Sequence, residues 1–191
     1  MRLAGSTRLS APASVQDPSA AALADQAARK TILLLRDDAG LLPLAADQKV
    51  LLVEQVFPTH RTVNDLDCHP GLLWEEMCRL SGNVCSVEIG EAPSEDDARR
   101  VMRRLGEAET VVATNYYYHK AATTGSDSIR RIVQAGKKVI VVTNTPYEFG
   151  APRDLPTVIV VFHPGAREHL RAAAQVLYGK LTPAARPPVR T

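Results

Sequence analysis

The sequence predicts an α/β fold: a three-layer α/β/α sandwich around a mostly parallel sheet of about five to six strands. Two observations carry this. Short apolar runs alternate with amphipathic segments long enough to be helices, the pattern of right-handed βαβ crossovers. Several of those runs, Lys49–Val53 and Lys137–Thr143 above all, are apolar throughout, as strands covered on both faces must be.

Asp17-Pro18-Ser19 starts a helix that runs to about Arg29, with Leu23, Ala24, Ala27 and Ala28 on one face. Thr31–Leu35 is a short buried strand and Lys49–Val53 the next. A polar loop follows to about His69. Pro70-Gly71 opens a helix through Leu80, with Leu73, Met77 and Leu80 at helical spacing. Asn83–Ile89 alternates Val84, Ser86 and Glu88 against Cys85, Val87 and Ile89, as a strand near a sheet edge does.

Pro93-Ser94-Glu95-Asp96-Asp97 places acids in the first turn of a helix, where the dipole favours them. Ala98, Val101, Met102 and Leu105 form its inward stripe. Arg99, Arg100, Arg103 and Arg104 avoid that stripe and read as its solvated face. Thr110–Ala113 is a strand. Ser126–Ala135 is a helix with Ile129, Ile132 and Val133 inside, stopped by Gly136. Lys137–Thr143 and Thr157–Phe162 are strands. Gly165–Tyr178 is the last helix, with Leu170, Ala173, Ala174 and Leu177 inward and Gly179 as its stop. Pro183–Thr191 reads as extended.

A chain of 191 residues with 45% hydrophobic and 23% charged residues suits one soluble domain. Residues 1–16 read as a disordered tail, although a transit peptide shares their Ser, Ala and Arg content; residues 17–191 read as a single domain. No apolar run approaches a membrane span. A net charge of +2 with interspersed signs gives no support to a nucleic-acid or membrane partner. Cys68, Cys78 and Cys85 are odd in number and lack C-x-x-C spacing, so reduced thiols in a cytoplasmic setting are expected.

In an open parallel sheet, ligands and partners meet the carboxyl ends of strands. The candidate rim therefore comprises Glu54, then Asn115, Tyr116, Tyr117, Tyr118 and His119, then Asn144, Tyr147 and Glu148, then His163. Four of the five tyrosines lie there. Aromatic faces and amides suit a sugar ligand, and amphipathic tyrosines equally suit an interface with another domain or loop scaffolding.

Glu54 and Glu148 are the carboxylates a glycoside-cleaving pair would need, although a Glu after a strand is more often solvated or capping. Cys68-His69 has the residues of a thiolate site, but adjacent side chains rarely face each other. His60, His69, His119, His163 and His169 lack H-x-x-x-H or H-E-x-x-H spacing, so no metal is expected. No G-x-G-x-x-G or G-x-x-x-x-G-K-[ST] occurs, and no cofactor is expected.

Three stretches carry a family resemblance: Ala28–Leu44, Gly136–Pro146 and Ala172–Pro183. Together they make the chain, from about Ala22 to Val189, resemble the C-terminal α/β domain of family 3 glycoside hydrolases, and within it the β-N-acetylhexosaminidase-type members. The resemblance implies an (α/β) sandwich docked on a TIM-like barrel that supplies the aspartate nucleophile. In β-glucosidase-type members this domain lends a glutamate acid/base in a Gly-Glu…Glu…Gly-Asp context. The corresponding stretch here, Thr114–Lys120, holds no glutamate. Hexosaminidase-type members take that role from a His/Asp pair on a barrel loop. No catalytic residue of the family transfers to a position of this chain.

What the resemblance implies is thus a non-nucleophile domain in carbohydrate metabolism, partnered by a barrel and inactive alone. The alternative is a free-standing α/β binding or regulatory module for a small sugar-like ligand or a protein. A third reading is a small enzyme built on Glu148 or Cys68.

Overall fold

The computed structural model describes residues 18–56, 71–90, 92–117, 125–148 and 150–186. The expected tail at 1–16, the thiol candidate Cys68-His69, and Tyr118 and His119 of the candidate rim lie outside the described residues.

The chain runs α1 (Pro18–Thr31), β1 (Leu33–Asp37), β2 (Val50–Gln55), α2 (Leu72–Cys78), β3 (Val84–Ile89) and α3 (Glu95–Arg104). A 3₁₀ turn at Leu105–Glu107 leads to β4 (Thr110–Asn115), α4 (Gly125–Gln134), β5 (Lys138–Thr143), β6 (Thr157–Val160) and α5 (Arg167–Leu177). The six strands form one sheet in the order β1-β6-β5-β4-β2-β3. All neighbours are parallel except β1, which pairs antiparallel with β6. The sandwich expected from the sequence is the one observed.

Strand side chains alternate between two cores. Val50, Leu52, Val112, Ile140, Val142 and Ile159 point to one face, beneath α1, α2 and α5. Leu51, Val53, Val111, Ala113, Val139 and Val141 point to the other, beneath α3 and α4. This double coverage is why β2, β4, β5 and β6 read as unbroken apolar runs.

Several elements differ from the sequence reading. Thr31 is helical, not strand: its hydroxyl bonds back to the Ala27 carbonyl at 2.9 Å, continuing α1. β1 therefore starts at Leu33 and extends to Asp37, because Arg36 and Asp37 are anchored. Arg36 donates Nε to the Leu155 carbonyl at 2.6 Å and Nη2 to the Ala151 carbonyl at 3.0 Å. Asp37 accepts from the Thr157 hydroxyl at 2.8 Å and from the Leu41 N–H at 2.9 Å. Two charged residues that look like the end of an apolar strand thus belong to it.

The expected inward face of α1 is largely outward. Ala28 is buried, whereas Ala24 and Ala27 are exposed and Leu23 is 66% exposed. In α3, Ala98, Val101 and Leu105 point inward, while Met102 falls on the flank and is exposed. Val133 of α4 is likewise exposed beside buried Ile129 and Ile132. Spacing of three and seven residues fixes the inward line; an adjacent apolar residue sits about 100° away. The arginines of α3 are not all solvated: Arg104 reaches the edge strand, donating Nη1 to the Ser86 carbonyl at 2.5 Å and holding Glu107 with its other nitrogens.

Ser94 caps α3 as the sequence suggests, with Asp97 bonding back to the Ser94 N–H at 2.8 Å. Across the other face, Glu76 of α2 is buried yet ionically satisfied. It accepts from Arg167 at 3.1 Å and Arg171 at 3.2 Å, both on α5.

Candidate functional site

The carboxyl ends of β2, β4, β5 and β6 share one rim because these strands are parallel. Among these strands and β3 the order is that of a doubly wound sheet, with its reversal between β2 and β4. A crevice for ligands normally opens there. Here side chains bridge the ends of the two strands. The regular β2–β4 register ends at Val53 and Ala113. Beyond it, the Gln55 N–H donates to the Thr114 hydroxyl at 2.7 Å, and the Gln55 side-chain oxygen accepts the Tyr116 N–H.

Glu54 stands beside this seam and is buried. Its Oε1 accepts the Leu73 N–H at 2.8 Å and its Oε2 the Trp74 N–H at 3.2 Å. Gly71, the N-cap of α2, is in the left-handed region at φ 79° and offers no side-chain cap. Glu54 performs that role from β2, with a charge that suits the helix N-terminus. Burial pushes its carboxyl up to about 7; the two N–H donors pull it down, and Glu88 and Glu75 push it further up. Both oxygens of Glu54 are thus turned to the first turn of α2.

At the end of β4, buried Asn115 donates Nδ2 to the Gly150 carbonyl at 2.8 Å and to the Ser126 hydroxyl at 3.2 Å. Gly150 must be glycine: a Cβ there would lie 2.2 Å from Thr145 Cγ2 and 2.8 Å from Thr143 Oγ1. Tyr116 is buried, and that burial raises its phenol well above the ordinary range, with Glu54 adding to the effect. Tyr117 is half-buried. Its N–H donates to Asn144 Oδ1 at 2.7 Å, and Asn144 Nδ2 returns a bond to the Tyr117 carbonyl at 2.9 Å. Asn115 thus braces its loops through its amide nitrogen, and Asn144 with both ends of its amide.

The outward surface of the rim lies on the β5 and β6 side. Tyr147 is 54% exposed, and Glu148 and His163 are exposed. Phe162, which the sequence reading placed inside a strand, is 73% exposed just past the end of β6. Its ring meets that of His169 at 5.9 Å between centroids. Partial burial, with help from His163, holds the His169 imidazole below its ordinary value. His163 Nδ1 accepts the Gly165 N–H at 3.1 Å.

The structure therefore divides the sequence candidates. Glu54, Asn115 and Tyr116 are inside, Tyr117 and Asn144 are half inside, and Tyr147, Glu148 and His163 face out. Phe162 was missed, because the apolar run it closes outlasts β6, which ends at Val160. Gln55 was passed over as a neighbour of Glu54, and only its partner across the seam reveals its role. Among the described residues, no group of three or more His, Cys, Asp or Glu side chains is arranged to hold a metal ion. No helix among them is long and apolar enough to cross a membrane.

No family model and no curated protein matches the sequence. Solved structures do match. A family 3 β-N-acetylglucosaminidase from Paenibacillus superposes with a TM-score of 0.76 at 20% identity, over 94% of this chain and 34% of its own. A β-glucosidase from Listeria innocua, in complex with isofagomine, gives 0.68 at 18% identity, over 89% and 27%. A fungal multi-domain family 3 β-N-acetylglucosaminidase gives 0.64 at 16%, over 91% and 20%. The chain spans between a fifth and about a third of these enzymes. Its fold is that of the C-terminal-type α/β domain of family 3 glycoside hydrolases.

Proposed function

We infer that this chain acts as the non-nucleophile domain of a β-N-acetylhexosaminidase-like glycosidase, in partnership with a TIM-like barrel that carries the bond-cleaving residues. The observation that carries this reading is coverage: nearly the whole chain superposes on a minor part of much longer hydrolases. The rim agrees with it. Its exposed surface is Tyr147, Phe162 and His163, a large aromatic on each of two adjacent strand ends. Such side chains supply contact area at little entropic cost and recur as interface anchors.

On this reading the chain alone does not hydrolyse glycosides. Tyr147, Phe162 and His163 pack on the barrel or border its sugar groove, while Asn115, Asn144 and Gln55 keep that surface rigid. The thiols of Cys78 and Cys85 are free, which suits a cytoplasmic protein.

The test is co-expression with a family 3 barrel encoded next to this chain, followed by co-purification and assay on a nitrophenyl N-acetylglucosaminide. Association with turnover only in the complex is expected. Turnover by the isolated chain, abolished by Glu148→Gln, would overturn the reading.

A further inference from the structure

We propose that the groove between α3 and the outer edge of β3 docks an extended acidic segment of a partner protein, whose alternate carboxylates meet Arg100, Arg103 and Arg104. β3 is the edge strand opposite β1, and β2 and β4 separate it from β5. The groove is therefore a different surface from the rim of Tyr147 and Phe162, and it does not rest on the glycosidase reading.

The floor of the groove offers donors. β2 and β3 are parallel, with the Val50 N–H donating to the Asn83 carbonyl at 3.0 Å and the Val56 N–H to the Ile89 carbonyl at 2.9 Å. Asn83, Cys85, Val87 and Ile89 thus turn their backbone groups to β2, and Val84, Ser86 and Glu88 turn theirs outward. Two of the outward carbonyls are occupied, that of Val84 by Trp74 Nε1 at 3.4 Å and that of Ser86 by Arg104 Nη1 at 2.5 Å. The outward N–H groups of Ser86 and Glu88 have no acceptor among the described residues. Guanidinium groups add only more donors, so a ligand here must bring acceptors.

The wall says how those acceptors are arranged. Arg100, Arg103 and Arg104 share one side of α3 and, with Ser86, Val87 and Glu88, line a groove of about 470 Å³. Asp97 holds Arg100 from the turn before, and Glu107 holds Arg104 at 2.7 Å from the turn after. The two guanidinium groups are drawn towards opposite ends of the helix, so they do not close on a single phosphate. Arg103, between them, is exposed and has no ion pair among the described residues. Positions 100 and 104 lie about 6 Å apart along the helix axis, close to the roughly 6.5 Å between alternate side chains of an extended chain. The acid of the groove, Glu88, turns its side chain to the α2 face, since Val87 and Ile89 point beneath α3. A second copy fits less well: two-fold pairing of β3 edges sets the two α3 helices side by side, basic flank against basic flank.

The test titrates the full-length chain with three probes: a short capped peptide of alternating Glu and Thr, the same peptide with Gln for Glu, and inorganic phosphate. The Ser86 and Glu88 amide resonances are expected to move and saturate with the Glu peptide alone. Arg103→Gln is expected to weaken that binding about fivefold through loss of a charge-assisted contact. Lys30→Gln removes the same charge from the end of α1, on the other face of the sheet, and is expected to leave binding unchanged. Arg103 and Lys30 are both exposed, so both variants keep the fold. Unmoved Ser86 and Glu88 amides would overturn the proposal, as would an equal response to the Gln peptide or to phosphate. Equal losses in Arg103→Gln and Lys30→Gln would overturn it too, since net charge alone then explains the binding. So would the same shifts on concentrating the protein without peptide, which a second copy in the groove produces.

Discussion

The Leu44 N–H donates to the Leu177 carbonyl at 2.7 Å, joining the segment after β1 to the last turn of α5. Two residues further on, Gly179 sits against Pro43, whose peptide bond with Leu42 is cis. The opening and closing motifs of the sequence are thus one piece of structure. Asp37 shapes the turn through the Leu41 and Leu42 N–H groups at 2.9 and 3.2 Å, and the corner it makes receives the end of the chain's last helix.

That contact predicts unequal costs for two glycine substitutions. Gly179 has φ 66° and a Cβ there would lie 2.9 Å from Pro43 Cβ. Gly136 has φ 79° with nothing within 4 Å of a Cβ. Gly136→Ala carries only the left-handed penalty, about 1 kcal/mol, whereas Gly179→Ala adds a clash and loses about 2–3 kcal/mol. Urea denaturation midpoints of the two variants check this.

Arg36 is predicted to matter more than its position at a strand end suggests. It gathers carbonyls of Ala151, Pro152 and Leu155, including a short contact to Pro152. Arg36→Ala takes the guanidinium donor from the buried Ala151 and Leu155 carbonyls, while the Pro152 carbonyl keeps the Leu155 N–H, and is expected to cost about 2–4 kcal/mol. Arg36→Lys recovers part of that loss, since one ammonium cannot span the three acceptors. Thermal unfolding of the two variants separates these outcomes.

The outer edge of β3 is guarded from both faces of the sheet. Trp74 covers the Val84 carbonyl and Arg104 the Ser86 carbonyl. Open strand edges invite pairing with another chain. The double variant Trp74→Ala/Arg104→Ala is therefore expected to self-associate at concentrations where each single variant elutes like the natural sequence. Size-exclusion chromatography with light scattering reads this directly.

Glu54 also links stability to pH. Its carboxyl is held at about 7 when folded against an ordinary 4.5, so the folded chain binds the extra proton between those values. The stabilisation from this group is complete below the lower value and is lost as pH rises through the upper one, by about 3 kcal/mol. The stability difference between the natural sequence and Glu54→Gln should accordingly favour the natural sequence more at acid pH than above neutrality.

Much of the fold was legible because strand runs such as Val139–Thr143 are buried on both faces and so wear their apolarity openly. Helix stops at Gly136 and Gly179, and the cap at Ser94, were equally plain, since each is a local matter of backbone conformation or hydrogen bonding. The bounds of β1 were not: Arg36 and Asp37 join the strand only through partners at Leu155 and Thr157, over a hundred residues away. The buried Glu76 was invisible for the same reason, its arginines lying on α5. At the rim, residue type picked out candidate strand ends but not which side chains face out. Tyr116 and Tyr147 look alike in sequence, yet one is inside and the other outside, and Asn115 and Asn144 turn out to be braces.

The rim surface supplies the sharpest variant. Phe162→Asp puts a charge on the most exposed aromatic of the β6 end, far from any core contact, so folding should be unaffected while binding to a partner barrel falls at least tenfold. Circular dichroism and a pull-down on the same preparation distinguish the two effects.

The central claim is that this chain completes a glycosidase rather than being one. The most direct measurement is hydrolysis of a nitrophenyl N-acetylglucosaminide by the chain alone, by a family 3 barrel partner alone, and by the two together. The account predicts no turnover by the chain, and a stable complex in which turnover exceeds that of the barrel. Turnover by the isolated chain, or a barrel whose activity and stability ignore the chain's presence, would contradict it.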